Sequence, residues 1–371
     1  MSKYLSFFLI AMFVSVPLLA QQEIPYKPYQ IAGVLKYPQP TNNDRYVIFQ
    51  EDVPGYEIEH DIILADLQSQ TYYAVTTDHK SSFVSAYPNY AVDPTGTWVL
   101  YYSFRYNKNG VYAQNIWTGE ILTITLNADP YFLCSWSPDG TKILYVEDTG
   151  GVNAPTTEIK VYDMKWSETN AFKIPGSIDE TMVRGYSNPV WSLDGNSVFY
   201  HTYLTKGGDH LMQFDLKANK LIKLTDGSNP AVNRTTGEVV YLNHGGVVGY
   251  DPVSKVSRII FNSFQVTKDE NSFFVLGKKG YHILISAVVG QFSTGNDRKN
   301  LFIVDLNTLQ QKEIKFKDKS VVNFVKLNGD NIVYQLKGWI TKGRSMGIYQ
   351  ENKLYGCGLD GSNPKVLLNI E

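Results

Sequence analysis

Ser135-Trp136-Ser137-Pro138-Asp139-Gly140-Thr141-Lys142-Ile143-Leu144-Tyr145 decides the fold. It reads as the end of one strand, a tight Pro-Asp-Gly turn, and an alternating apolar strand. The phrase recurs. Ser192-Leu193-Asp194-Gly195 precedes Ser197-Val198-Phe199-Tyr200, and Asp93-Pro94-Thr95-Gly96 precedes Trp98-Val99-Leu100-Tyr101-Tyr102. Weaker copies are Arg234–Gly237 before Glu238–Tyr241 and Gly277–Gly280 before Tyr281–Ile285. The weakest are Asn42-Asn43-Asp44 before Arg45–Phe49 and Asn328-Gly329-Asp330 before Asn331–Tyr334. The turns begin near Thr41, Asp93, Ser137, Ser192, Arg234, Gly277 and Leu327, a spacing close to the ~40–50 residues of propeller blades.

Each unit divides into four short strands, a to d. In the third, a is 131–136, b is 142–147, c is 158–162 and d is 171–174; in the fourth, c is 210–216 and d is 221–225. Such units cannot bury both faces alone, whereas radial packing buries each against its neighbours. The expected fold is an all-β β-propeller of seven four-stranded blades; six or eight follow if a terminal unit is misread. No strand is evidently exchanged to close the ring, unless Ile24–Tyr29 pairs with the last blade.

At these turns the chain resembles the propeller repeat of the TolB family and of the propellers that precede prolyl-oligopeptidase and dipeptidyl-peptidase catalytic domains. The resemblance rests on Ser137–Gly140 with Ile143 and Tyr145, Ser192–Gly195 with Val198 and Tyr200, and Asp215-Leu216 with Leu221 to Asp226. It implies a fold and is nearly silent on activity, because its Asp and Gly serve the turn itself. Only some twenty residues lie between the leader and the first repeat, so the resemblance does not extend to the N-terminal α/β domain of TolB.

Residues 1–20 read as a signal peptide. Lys3 supplies the positive start, Leu5 to Leu19 is an apolar run shorter than the ~18–20 residues that span a bilayer, and Ala20 is small, although Leu18 departs from the small-residue preference. No Cys follows to carry a lipid. The expected product is one propeller domain over 21–371, periplasmic or secreted, without a transmembrane segment and monomeric. Of 371 residues, 34 are Lys or Arg and 36 Asp or Glu, with no basic block, which argues against nucleic acid as a partner. Cys134 and Cys357 are the only cysteines. Export permits a disulfide, but their places on different strand types favour two buried thiols.

No catalytic residue, cofactor or metal ligand set is assigned. Gly343-Arg344-Ser345-Met346-Gly347 matches the hydrolase elbow, yet the last histidine, His282, precedes it, so no acid-then-His sequence can follow. The six histidines form no metal-binding spacing; propeller enzymes such as oligogalacturonide lyases gather such residues at the central channel. The acidic run Glu51, Asp52, Glu57, Glu59 and Asp61 has carboxylates for Ca²⁺ but no EF-hand spacing, and reads as a solvated loop.

The a–b turns are tight, whereas the b–c and d–a connections at the opposite end read as long loops: 51–60, 148–157, 204–209, 291–299, 337–352, 77–87 and 176–188. Elaborated loops on a rigid scaffold are where binding evolves. Tyr56, His60, Arg105, Arg184, Tyr186, His210, Arg298, Trp339 and Arg344 are the candidate binding residues, since aromatic and guanidinium groups anchor partners well. The expected function is non-catalytic binding of an envelope or extracellular protein, peptide or glycan. The alternative is a lyase or hydrolase acting on a glycan at the channel mouth.

Overall fold

The computed structural model describes residues 24–369 outside 53–59, 78–89, 105–109, 129–133, 149–156, 174–188, 205–207, 234, 245, 264–265, 267–273, 277–281, 293–296, 317–318, 329–330, 343–344, 351–352 and 359–360. The fold is all-β: seven antiparallel sheets form the blades of a propeller. Blade 3 shows the pattern, with Ser135–Trp136, Lys142–Asp148, Thr157–Asp163 and Glu168–Lys173 as a to d, each paired to the next. Strand d therefore starts before the expected residue 171, because the c–d turn is shorter than the sequence suggests.

The repeated phrase folds into a locked turn. Gly140 sits at φ +71°, a conformation closed to most side chains. The Ser137 hydroxyl accepts from the Lys142 amide at 2.9 Å and donates to Asp139 Oδ1 at 2.6 Å. Asp139 Oδ1 also accepts from the Thr141 amide at 3.1 Å. Burial pushes the Asp139 carboxyl up, but these hydrogen bonds together hold it below its ordinary range. Ser192, Asp194 and Gly195 repeat the arrangement in blade 4.

A second turn, between c and d, is just as regular. Asp66, Asn115, Asp163, Asp215, Asp251 and Asp305 each accept from an amide two residues on. Four residues on, Gln70, Gly119, Ser167, Asn219, Lys255 and Leu309 all have positive φ. The side-chain oxygen caps the turn, and the left-handed residue returns the chain.

Both faces of each sheet are buried, so neighbouring residues on a strand serve opposite gaps. In blade 1, Tyr46 and Ile48 face blade 2 while Val47 and Phe49 face blade 7. In blade 4, Tyr200 and Phe199 divide likewise between blades 3 and 5. One apolar cluster fills each of the seven gaps. Each buried large side chain in them contributes roughly 1.5–3 kcal/mol. The inner strands are also stitched sideways: Trp136 Nε1 donates to the Ala91 carbonyl at 3.0 Å, and Trp191 Nε1 to that of Ser135 at 3.3 Å. Cys134 and Cys357 are buried in different gaps and not joined by a disulfide, and burial pushes the Cys134 thiol up to about 12.

Blade 1 takes its four strands from one run of chain: Val34–Pro40, Tyr46–Asp52, His60–Asp66 and Thr71–Ala74. Pro28–Tyr29 does not join the last blade. It adds a fifth strand to the outer edge of blade 1, pairing with Tyr72 and Tyr73. Blade 7 comprises Lys319–Asn328, Asn331–Lys342, Lys353–Gly358 and Lys365–Asn369. Among the described residues, blades 1 and 7 meet through side chains rather than a shared strand. Leu35, Phe49 and Ile63 pack on Val333, Leu354 and Leu368. Among the described residues, no helix is long and apolar enough to cross a membrane.

Candidate binding face

The a–b and c–d turns lie at one end of the ring, and the b–c and d–a connections at the other, which is the loop face. Its most distinctive described element belongs to blade 7. Strand b, Asn331–Lys342, outruns its partners: strand a pairs with it only as far as Gly338, and strand c only as far as Tyr334. Beyond that the chain turns back as Ser345–Gln350, in register from Lys337↔Gln350 to Lys342↔Ser345. The region expected as a long loop over 337–352 is thus a β-hairpin arm. β-branched and aromatic residues at Trp339, Ile340, Thr341, Ile348 and Tyr349 favour this strand pairing. Trp339 lies on the arm opposite Ile348. Ser345 begins a strand paired with Asn331–Lys342, so the elbow-like pentapeptide leads into a strand rather than into the helix of hydrolases.

The other candidates divide. Tyr56, Arg105, Arg184, Tyr186 and Arg344 lie outside the described residues. Arg298 is half-buried near the start of strand c of blade 6, Asp297–Asp305, opposite Gly290. His60 and His210 are corrected: both are buried in strands rather than displayed on loops. The strands run further toward the loop face than the turn signals suggest. In blade 4, for instance, Leu204 pairs with Gly208 and leaves only a short connection.

His60 Nδ1 lies 2.9 Å from Asp52 Oδ1, on the cross-strand neighbour. His210 Nδ1 contacts Asp226 Oδ1 at 2.7 Å, and Lys223 Nζ reaches the same oxygen at 2.8 Å. Lys223 first, and His210 second, hold the Asp226 carboxyl below its ordinary range. Asp226 keeps 62 % of its side-chain surface exposed and Lys223 46 %, so a charge-compensated pair faces solvent while the imidazole stays covered.

The acidic run in blade 1 is a second correction. Glu51 and Asp61 are fully buried and directly opposite each other on strands b and c, not part of a solvated loop. Period-two alternation puts them on the face that carries Phe49 and Ile63, toward blade 7. A pairing register, not a motif, brings them together, which is why sequence reading missed them. Among the described residues, no group of three or more His, Cys, Asp and Glu forms a metal site.

No protein-family model matches the chain, and no curated protein matches it by sequence. Similar solved structures are propellers. TolB from Acinetobacter baumannii is 15 % identical, with a TM-score of 0.48, over 74 % of this chain and 64 % of that one. A puromycin-hydrolyzing peptidase from Mycobacterium tuberculosis is 12 % identical, with a TM-score of 0.62, over 94 % and 56 %. The propeller domain of the Trilobed protease from Pyrococcus furiosus, described as having an open velcro topology, is 12 % identical at TM-score 0.56, over 91 % and 98 %. This chain spans less than two thirds of TolB or of the first peptidase. The likeness expected from the turns holds at the level of fold: a propeller of the kind found beside peptidase domains.

Proposed function

We propose that this chain is an exported, non-catalytic propeller that binds a protein, peptide or glycan through its loop face. Residues 1–20 serve as its signal peptide, 21–371 form the single domain, and the mature monomer works in the periplasm or outside the cell. The observation that carries the reading is the hairpin arm of blade 7. Paired backbone holds it out from a ring whose opposite end consists of capped, tight turns. A rigid arm presents side chains with little ordering cost on binding. Its stretch of sequence includes Trp339 and Arg344, residue types suited to anchoring a partner. Arg298 of blade 6 and the Asp226–Lys223 pair of blade 4 add charged groups elsewhere on the loop face.

The enzyme reading draws on the paired carboxylates Glu51 and Asp61. Both have zero exposure between blades, so a polymeric glycan does not reach them in this conformation. General acid–base work requires hydrogen-bond reach to the substrate.

Crosslinking in the envelope followed by co-purification tests the proposal. A specific partner, lost on Trp339→Ala with Arg344→Ala, supports it. Recovery of no partner, together with glycan degradation by the purified protein, overturns it. Mass measurement of the mature N-terminus tests the cleavage.

A further inference from the structure

We propose that the outer mouth of the gap between blades 4 and 5 is a docking groove for an extended, acidic strand of another protein. That strand pairs with strand d of blade 5 and lays alternate apolar side chains into the gap. Strand d is Lys220–Asp226 in blade 4 and Ser257–Phe261 in blade 5, and each ends its sheet. Cross-strand partners share a sheet face. Phe199, Gln213 and Ile222 stand in line across blade 4, and Tyr241, Val248 and Ile259 across blade 5. Phe199 and Tyr241 are buried members of the cluster that fills this gap. Ile222 and Ile259 therefore lie on the two walls of one gap at its outer end, where Ile259 is 61 % exposed and Ile222 37 %. Leu224 and Tyr250 in the same cluster are only half-buried.

The chain itself shows how such a mouth is covered. Over the gap between blades 1 and 2, Ile24 and Tyr26 pack on the core while Pro25 and Lys27 face solvent. The same segment continues as Pro28–Tyr29, paired with strand d of blade 1. Alternate side chains enter the gap and the backbone extends the sheet, which is recognition by strand addition. Among the described residues, nothing plays this part between blades 4 and 5, and an exposed apolar patch beside an open strand edge invites it.

The two edges are guarded differently. Strand d of blade 4 carries Lys220, Lys223 and Asp226, and charge discourages strand addition. In blade 5 the one charged side chain of strand d, Arg258, is engaged elsewhere. It forks onto Glu238 and donates to the Leu306 carbonyl of blade 6 at 2.8 Å. The edge open to a strand is thus that of blade 5. Charge then selects the occupant. Lys220, on the groove face beside Ile222, and Lys255, in the c–d turn of blade 5, are exposed and without an anionic partner among the described residues. The nearest turn carboxylates cap their own amides: Asp215 accepts from Lys217 and Ala218, and Asp251 from Val253. Asp226, at the loop-face end, is held by Lys223. The free cations at the plain end favour Asp or Glu in the docked strand.

The test pans a random dodecapeptide library on the full mature chain, after subtraction on the double variant Ile222→Lys with Ile259→Lys. Both side chains reach solvent, so the variant keeps its core, and subtraction discards peptides that bind the loop face. The expected survivors have apolar residues at alternate positions and Asp or Glu toward one end. The best survivor, synthesised with a fluorescent label, should bind the wild-type chain saturably and Ile259→Lys at least tenfold more weakly. Lys220→Glu with Lys255→Glu should weaken binding at least fivefold. Ile121→Lys, at an exposed apolar site of blade 2, should change nothing. At saturation, hydrogen exchange should slow in 257–261. No survivors, survivors without the alternating acidic pattern, or protection confined to other blades overturns the proposal. Self-association of the wild-type chain that Ile259→Lys abolishes overturns it too, since a second copy would then fill the groove.

Discussion

The Tyr72 hydroxyl donates to the Asn369 carbonyl oxygen at 2.8 Å, joining strand d of the first blade to strand d of the last. Gln70 works beside it, donating to the Leu367 carbonyl at 3.2 Å and accepting from the Asn369 amide at 3.4 Å. These bonds stand where a shared strand would place a backbone ladder. Each is exposed and contributes about 0.5–1.5 kcal/mol. Tyr72→Phe with Gln70→Ala should therefore destabilise the fold by about 1–3 kcal/mol. Hydrogen exchange should show the loss first in 365–369, with blades 3 to 5 unchanged. Uniform loss of protection around the ring would show that closure does not depend on these contacts.

Arg45 and Asp66 give the fold a defined acid sensitivity. Arg45 Nε donates to Asp66 Oδ1 at 2.8 Å, and Nη2 pairs with Oδ2. Burial pushes the Asp66 carboxyl up, but Arg45 and the turn donors together outweigh it and bring it to about 2, from 3.8. A depressed folded-state pKa stabilises above the unfolded value and ceases to do so as pH falls through the folded one. Asp66→Asn should thus cost about 2 kcal/mol at neutral pH. The gap to wild type should shrink from pH ~4 and close only below pH ~2. Denaturant melts across that window check this; a constant gap would mean that the bond geometry, not the charge, matters.

The a–b turn was legible in the sequence because Pro-Asp-Gly and Leu-Asp-Gly advertise a positive φ. The c–d turn was visible only as a recurring Asp-Leu. Its left-handed position is Gly119 in blade 2 and Asn219 in blade 4, but Gln70, Ser167, Lys255 and Leu309 elsewhere, and those four do not signal that conformation as glycine does. Its capping Asp or Asn nevertheless recurs in six of the blades. Strand ends on the loop face were the least legible. Where Leu204 pairs Gly208, or Trp339 pairs Ile348, glycines (Gly208, Gly338, Gly347) stand inside the paired segments, so ordered strand read as loop. Glu51 and Asp61 were seen as neighbours in composition, but their burial depends on which gap each strand face serves.

Those two turn types separate strain from crowding. At Gly195, φ is +67° and an added Cβ would meet nothing within 4 Å. Gly195→Ala should cost only left-handed strain, about 1–2 kcal/mol. At Gly96, φ is +70° and the new Cβ would fall 2.0 Å from the Asn42 backbone nitrogen in the neighbouring blade. Gly96→Ala should cost clearly more than Gly195→Ala. Conversely, Leu309→Gly at φ +58° relieves strain in an exposed turn and should raise stability by up to about 1 kcal/mol, after the added unfolded-state entropy is subtracted. Thermal melts of the three variants check the order; equal losses for the two alanines would refute the crowding argument.

The arm of blade 7 can be removed without touching the ring. Gly338 and Tyr349 are paired, so replacing 339–348 with Asn-Gly closes a two-residue hairpin at that register. The cores of blade 7 lie below the cut: Ile332, Val333, Tyr334 and Leu336 remain. The shortened protein should melt within a few degrees of wild type, since no buried apolar cluster loses a described member. If the arm carries recognition, the same protein should lose at least tenfold in affinity for its crosslinked partner. Retained affinity would move recognition to the remaining loops of that face. Loss of folding would instead show that the paired arm buttresses strand b, and calorimetry on the same sample distinguishes the two.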